Sequence, residues 1–248
     1  MTAETVARLR SLHVPGDPLI LPNAWDAASA KAVVKAGFPV VATGSAAVAD
    51  VLGYPDHQGA PAEEMFAAIA RMVRVVDVPV TADIEAGYGL PAGELAERLA
   101  AVGVAGVNLE DTDHAGTGLV DTAEQAGYLA ALRAATDLVI NARVDSFIGA
   151  SDPRAVLPDA IARARAYLDA GADCVYPILL ADQELLGEFV EAVRPAPVNA
   201  VYMPGGLSLE VLRAAGVARV SFGPGLFRLG QSQLDRTLAD LAQGTTPY

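Results

Sequence analysis

The sequence predicts an α/β protein, a (β/α)8 barrel of the TIM type, and three observations carry that prediction. A short phrase recurs: a helix ending in Ala-Gly or a near relative, then a residue or two, then a β-rich run. It appears as "KAGFPVVATG", "AVGVAGVNLED", "DAGADCVYPI" and "AAGVARVSFG". Glycine suits the residue after a last helical turn, where φ is often positive. The runs that follow are apolar without alternation, as in parallel strands covered on both faces. Eight such units in 248 residues match one barrel better than an open doubly wound sheet. One domain over residues 1-248 is therefore expected, since no stretch reads as a linker.

In chain order the strands are "PLILPNAW" near 18 to 25, "PVVATG" at 39 to 44, "PVTADIE" at 79 to 85 and "GVNLED" at 106 to 111. They continue with "DLVINARVD" at 137 to 145, "CVYPI" at 174 to 178, "VNAVY" at 198 to 202 and "RVSFG" at 219 to 223. Between them lie alanine-rich stretches with helical spacing, such as "PAGELAERLAAVG" and "PDAIARARAYLDAG".

Composition removes several functional classes. A net charge of -13, with 17 unclustered basic residues, repels a phosphate backbone, so no nucleic-acid partner is expected. No run of about 18 apolar residues and no charged-then-apolar leader is visible, so no membrane span is expected and the cytoplasm is the default location. Cys174 is the only cysteine, which excludes an intrachain disulfide and gives it the reading of a core thiol in a strand. The lysines are Lys31 and Lys35 alone, both in the first helix between strands, so a Schiff-base mechanism on a strand lysine is excluded. Of the three histidines, His13 is expected at the surface, while His57 and His114 fall in loops where they could exchange protons.

In a barrel of this kind the chemistry sits at the C-terminal ends of the strands. The polar residues there include Asp83 and Glu85 after the third strand, Glu110 and Asp111 after the fourth, and Arg143 in the fifth. Three carboxylates converging on one mouth repel one another unless protons or a cation intervene, and a hard divalent ion is their natural partner. The alternative is a set of solvated loop acids. Arg143 could fork onto a carboxylate or phosphoryl group, or be tied up in a structural ion pair with Asp145, Asp83 or Glu85. Across the mouth, "TGSAA" at 43 to 47 offers backbone N–H groups to an anion.

The segments "GSAAVADVLGYPD", "TADIEAGYG", "GVNLED" and "NARVD", in that order and spacing, resemble the isocitrate lyase and phosphoenolpyruvate mutase superfamily, from about Leu21 to about Phe227. The resemblance implies a TIM barrel, often with a terminal helix exchanged between subunits, and reactions that make or break C–C or P–C bonds beside a 2-oxo acid. It implies Asp83 as the direct ligand of Mg²⁺ or Mn²⁺, with Asp56, Glu85 and Glu110 holding the waters around the ion. It implies Arg143 on the substrate carboxylate or phosphonate, the backbone of Gly44, Ser45 and Ala46 as an anion cradle, and Asn199 as a polar substrate contact. The chain departs from the lyases in the loop after the fourth strand. There "EDTDHAGTGLVD" has neither the cysteine of the isocitrate and methylisocitrate lyases nor the lysine and asparagine of the mutases, Gly116 and Gly118 standing at about the latter positions.

The function expected on these grounds is Mg²⁺-dependent cleavage of a C–C bond in a small 2-oxo or 2-hydroxy carboxylic acid through an enolate. Catalytic roles fall to Arg143, Glu110, Asp56 and His114, with Tyr54 the other candidate for proton transfer. The alternatives are P–C bond chemistry, as a phosphonopyruvate hydrolase or mutase, and a non-catalytic barrel that binds a metal–carboxylate pair. A homo-oligomer, dimer or tetramer, is expected from the resemblance.

Overall fold

In a computed structural model, described for residues 2 to 246, every paired strand is parallel. The first predicted strand is in two pieces, β1 (Leu19–Leu21) and β2 (Asn23–Ala24). Pro22, which has no N–H to give to a ladder, separates them. There follow β3 (Val41–Thr43), β4 (Val80–Asp83), β5 (Gly106–Glu110) and β6 (Val139–Val144). The set ends with β7 (Cys174–Pro177), β8 (Asn199–Val201) and β9 (Arg219–Ser221). One sheet runs β2-β3-β4-β5-β6-β7 and the other β1-β9-β8. The chain through Pro22 joins them on one side, and the parallel bridge of Val175 with Val198 on the other, closing the predicted barrel.

The helices are α1 (Ala3–Ser11), α2 (Ala27–Lys35), α3 (Ser45–Leu52), α4 (Ala62–Val73), α5 (Ala92–Val102) and α6 (Thr122–Ala135). They continue with α7 (Pro153–Asp169), α8 (Gln183–Val193), α9 (Leu209–Ala214) and α10 (Gly225–Ala242). The glycines of the recurring phrase, Gly37, Gly103, Gly171 and Gly216, all have φ between 85° and 101°, so each stands where a helix must turn into the next strand. Among the described residues no helix is long and apolar enough to cross a membrane.

Three features depart from the pattern of eight packed units. Helix α1 precedes the first strand and presses the fully buried Leu9 against Gly106 on the barrel floor; a Cβ at Gly106 would stand 2.8 Å from Leu9 Cδ2. His13, expected at the surface, is buried there instead: its Nδ1 meets the carbonyl of Leu9 at 2.9 Å, and burial, with the charge of Arg219, lowers its pKa to about 4. The last turn of α1 covers the floor, which carries the histidine inward with it. Helix α10 buries only Phe227, leaving Leu229, Leu234, Leu238 and Leu241 exposed.

The barrel interior holds a polar layer. Strand residues two apart share a face, so Asn108 and Glu110 of β5 and Asn141 and Arg143 of β6 all point inward. Arg219 is buried among them and donates from Nη2 to Asn108 Oδ1 at 2.8 Å, while its Nε and Nη1 find no partner among the described residues. Cys174 is buried and free, its thiol pushed by burial up to about 12, in keeping with a core role.

Candidate active site

Register explains why the predicted acids meet. Asp83 lies opposite Asn108, and Asn108 opposite Asn141; Glu110 is in register with Arg143, and Arg143 with Tyr176. The upper layer of the barrel is thus Glu110, Arg143 and Tyr176, with Asp83 ending β4 beside it. Arg143 donates from Nε and Nη2 to the two oxygens of Asp145 at 2.6 and 2.7 Å, and Nη2 also pairs with Glu110. Burial works against its charge, but the Asp145 and Glu110 carboxylates outweigh that and keep it protonated. The structural ion pair weighed for Arg143 is therefore present with Asp145, and Nη1 is the nitrogen left over.

Asp83 is held from three sides. Its backbone N–H donates to Thr43 Oγ1 at 2.9 Å, and its Oδ2 accepts from the N–H and hydroxyl of Ser45 at 3.3 and 3.2 Å. Ser45 opens α3 with Gly44 as N-cap, so the positive end of that helix meets the carboxylate. Burial raises the pKa of Asp83 against these donors and Arg143. Glu85, 2% exposed, has φ of 50° and accepts from the backbone N–H of Gln58. Burial, reinforced by Asp83, Glu110 and Asp56, raises its pKa to about 7. Glu110, 3% exposed, binds His114 Nε2 at 2.6 Å. That bond raises the pKa of His114, while burial raises that of Glu110. His57, Gln58, Glu85, Tyr88 and Leu179 all carry positive φ without being glycine; Glu85, Tyr88 and Leu179 sit in strand-to-helix loops, and His57 and Gln58 in the connection from α3 to α4. Backbone strain concentrated in this way marks functional loops.

A cavity of about 250 Å³ opens over this layer, lined by Gly44, Ser45, Ala46, Asp56, Asp83 and Arg143 among others. Glu85, Glu110 and His114 stand outside its lining, and Asn199 lies beneath, fully buried and bonded to Ser221 Oγ at 3.1 Å. Tyr54 donates to Glu64 at 2.7 Å and does not line the cavity. Asn23, a polar residue at the end of the first predicted strand, also lines it, as do three residues that the sequence did not single out: Asn108, Tyr176 and Arg228. Asn108 was legible in principle, two positions before Glu110 on the same strand face. Its Oδ1 accepts from both Arg219 and Asn141 at 2.8 and 2.9 Å, which leaves its amide N–H groups for the cavity.

A parallel barrel with acids and a strand-end arginine at its C-terminal mouth defines a class, the TIM-barrel enzymes whose chemistry is done by strand-end residues. Residues 9–242 match the phosphoenolpyruvate phosphomutase family. The chain belongs to that family, and is an enzyme of the lyase and mutase type within the phosphoenolpyruvate mutase/isocitrate lyase superfamily. It is 36% identical to an uncharacterised protein of Mycobacterium tuberculosis (strain H37Rv) over 214 residues, 86% of this chain and 80% of that one. It is 31% identical to the 2-methylisocitrate lyase of Bacillus subtilis (strain 168) over 207 residues, 79% of this chain and 67% of that one. The crystal structure of a candidate phosphonomutase from Burkholderia cenocepacia J2315 superposes with a TM-score of 0.86 at 39% identity, covering 97% of this chain and 99% of that one.

Proposed function

We propose that the protein is a Mg²⁺-dependent lyase that cleaves a C–C bond of a small 2-oxo or 2-hydroxy carboxylic acid through an enolate. The observation that carries this reading is the buried meeting of Asp83, Glu85 and Glu110 around Arg143 at the barrel mouth. Carboxylates whose protonation is raised by burial and mutual repulsion are those a hard cation would ionise. Among the described residues no three His, Cys, Asp or Glu side chains enclose an ion together. The reading has Mg²⁺ or Mn²⁺ held by Asp83 directly, with Asp56, Glu85 and Glu110 acting through water, because such hard cations keep several waters. When bound, the cation supplies positive charge against the oxygen on which negative charge gathers as the bond breaks.

The remaining work belongs to the chain. Arg143, fixed by Asp145, turns Nη1 to the substrate carboxylate, and the backbone of Gly44, Ser45 and Ala46 at the start of α3 cradles a second anionic group. His114 shares a proton with Glu110 just outside the cavity lining and exchanges it with the product carbon by way of His57, which lines the cavity with its ring centroid 5.9 Å from that of His114. The loop that carries His114 is closed by the antiparallel bridge of Thr112 with Leu119 and contains no cysteine, which separates the proposed reaction from that of the cysteine-bearing lyases. Asn199 contributes through Ser221, which lines the cavity.

A second reading, P–C bond cleavage, is favoured by the phosphomutase family match and the phosphonomutase-like neighbour. Turnover of a panel of malate-type acids and phosphonopyruvate with Mg²⁺ separates the two. Release of a 2-oxo acid from a carbon-only substrate supports the lyase, and phosphate from phosphonopyruvate alone supports the second reading. Mg²⁺-dependent binding without turnover of any of them points to a non-catalytic binder.

The same reading takes residues 1-248 as one barrel domain and the protein as a cytoplasmic homo-oligomer. Two features support the oligomer: the exposed leucines of α10, and an apolar groove of about 610 Å³ lined by Trp25, Ala32, Phe38 and Leu226. Exchanging α10 between copies would fill the groove and cover the leucines.

A further inference from the structure

We infer that the substrate carries an apolar substituent, accepted by a side chamber between the ends of β7, β8 and β9. This rests on the active-site reading above and narrows its substrate to alkyl- or aryl-substituted acids. The cavity over Asp83 holds only about 250 Å³, below the roughly 300–1,000 Å³ usual for small-molecule sites. Beside it lies a second chamber of about 370 Å³. The two share Tyr176, Ile178, Leu179, Gly223, Pro224 and Arg228, so they are one cleft with two ends.

The ends differ in chemistry. The first has Asp56, Asp83, Ser45 and Arg143; the second has Val201, Tyr202, Met203 and Phe222, with Arg228 its one charged lining residue, at the junction. A cationic tail pushed into the second end would lose water and gain no carboxylate partner, and an anionic tail would meet only Arg228 at the junction and none beyond it, whereas a hydrocarbon tail gains burial along the whole chamber. The wall is built rigidly. The rings of Tyr202 and Phe222 stand 5.3 Å apart, Tyr202 N–H donates to Ser221 O at 2.8 Å, and Phe222 N–H donates to Asn23 Oδ1 at 2.8 Å. Asn23 itself lines the acidic end, so one hydrogen bond ties the apolar wall to the reacting layer. Leu179 and Met203, both partly exposed at 43% and 39%, are the apolar rim that such a tail would cover.

Isothermal titration of the full chain with saturating Mg²⁺ and a series of pyruvate, 2-oxobutyrate, 2-oxopentanoate and 2-oxohexanoate tests the inference. Burial of each added methylene predicts about fourfold tighter binding. Val201→Phe, which fills the chamber, is expected to collapse the ratio between 2-oxohexanoate and pyruvate toward one. Met203→Trp, verified as folded by its melting transition, serves as the second block. Binding of pyruvate with affinity flat or falling along the series in the unmodified protein would overturn the side chamber and leave the lyase reading standing. Failure of pyruvate and oxalate alike to bind with Mg²⁺ would overturn both.

Discussion

Arg143 shows how a strand-end residue is aimed by its neighbours rather than by its own rotamer. Asp145, two residues on and on the same face, engages two of its nitrogens, Nε and Nη2, and leaves Nη1 for the cavity. Arg143→Lys removes the fork, and the loss of a charged hydrogen bond of about 1.5–3 kcal/mol predicts a fall in kcat/KM of roughly 10- to 100-fold. Asp145→Asn keeps the shape but slackens the aim, and steady-state kinetics should show KM rising more than kcat falls. His13 gives a stability prediction on the opposite face. Its folded pKa of about 4 lies below the usual 6.5, so between those values the unfolded chain binds more protons, and the contribution of His13 is lost as pH falls from about 6.5 toward about 4. The carboxylates with raised pKa push the other way, but they do so equally in a His13→Asn variant. The difference in unfolding free energy between the two proteins, followed by denaturant titration, should therefore shrink across that window, by an amount on the order of 3 kcal/mol at full protonation.

At the scale of elements, the eight strands were legible because unalternating apolar runs following Ala-Gly are what a sheet buried on both faces requires. The acids Asp83, Glu85 and Glu110 were legible for the same reason, as polar residues closing apolar strands. What was not legible needed contacts distant in sequence. Helix α1 buries only Val6 and Leu9, too short a stripe to read as a packed helix, so His13 looked like a surface residue of a tail. Arg219 is one charge opening a three-residue strand, and only barrel closure shows that it points inward to Asn108. Pro22 was in view inside its run, yet the split it causes between two sheets depends on how the barrel closes. The α1 contact predicts that Gly106→Ala, whose Cβ would meet Leu9 Cδ2 and Val139 O at 2.8 Å, costs roughly 1–3 kcal/mol. Scanning calorimetry should find the melting temperature lowered by about 2–4 °C for each kcal/mol.

For the whole molecule, the barrel is a frame that brings the ends of its strands to one mouth, and its remaining apolar surface has to be covered elsewhere. An apolar stripe on α10 reads the same in sequence whether it packs on its own barrel or on another copy, so only the structure reveals that it stands away. Replacing Leu234 and Leu238 with lysine should convert the proposed homo-oligomer to monomers by light scattering. The unmodified protein running as a monomer would contradict the exchange.

The proposed function requires that Asp83 anchor a cation on which turnover depends. The direct test compares Mg²⁺-dependent 2-oxo acid release and Mg²⁺ binding in the unmodified protein and in Asp83→Ala. Both are expected to be lost in the variant while its fold, by circular dichroism, is kept. A variant that still binds Mg²⁺ and still turns over would contradict it.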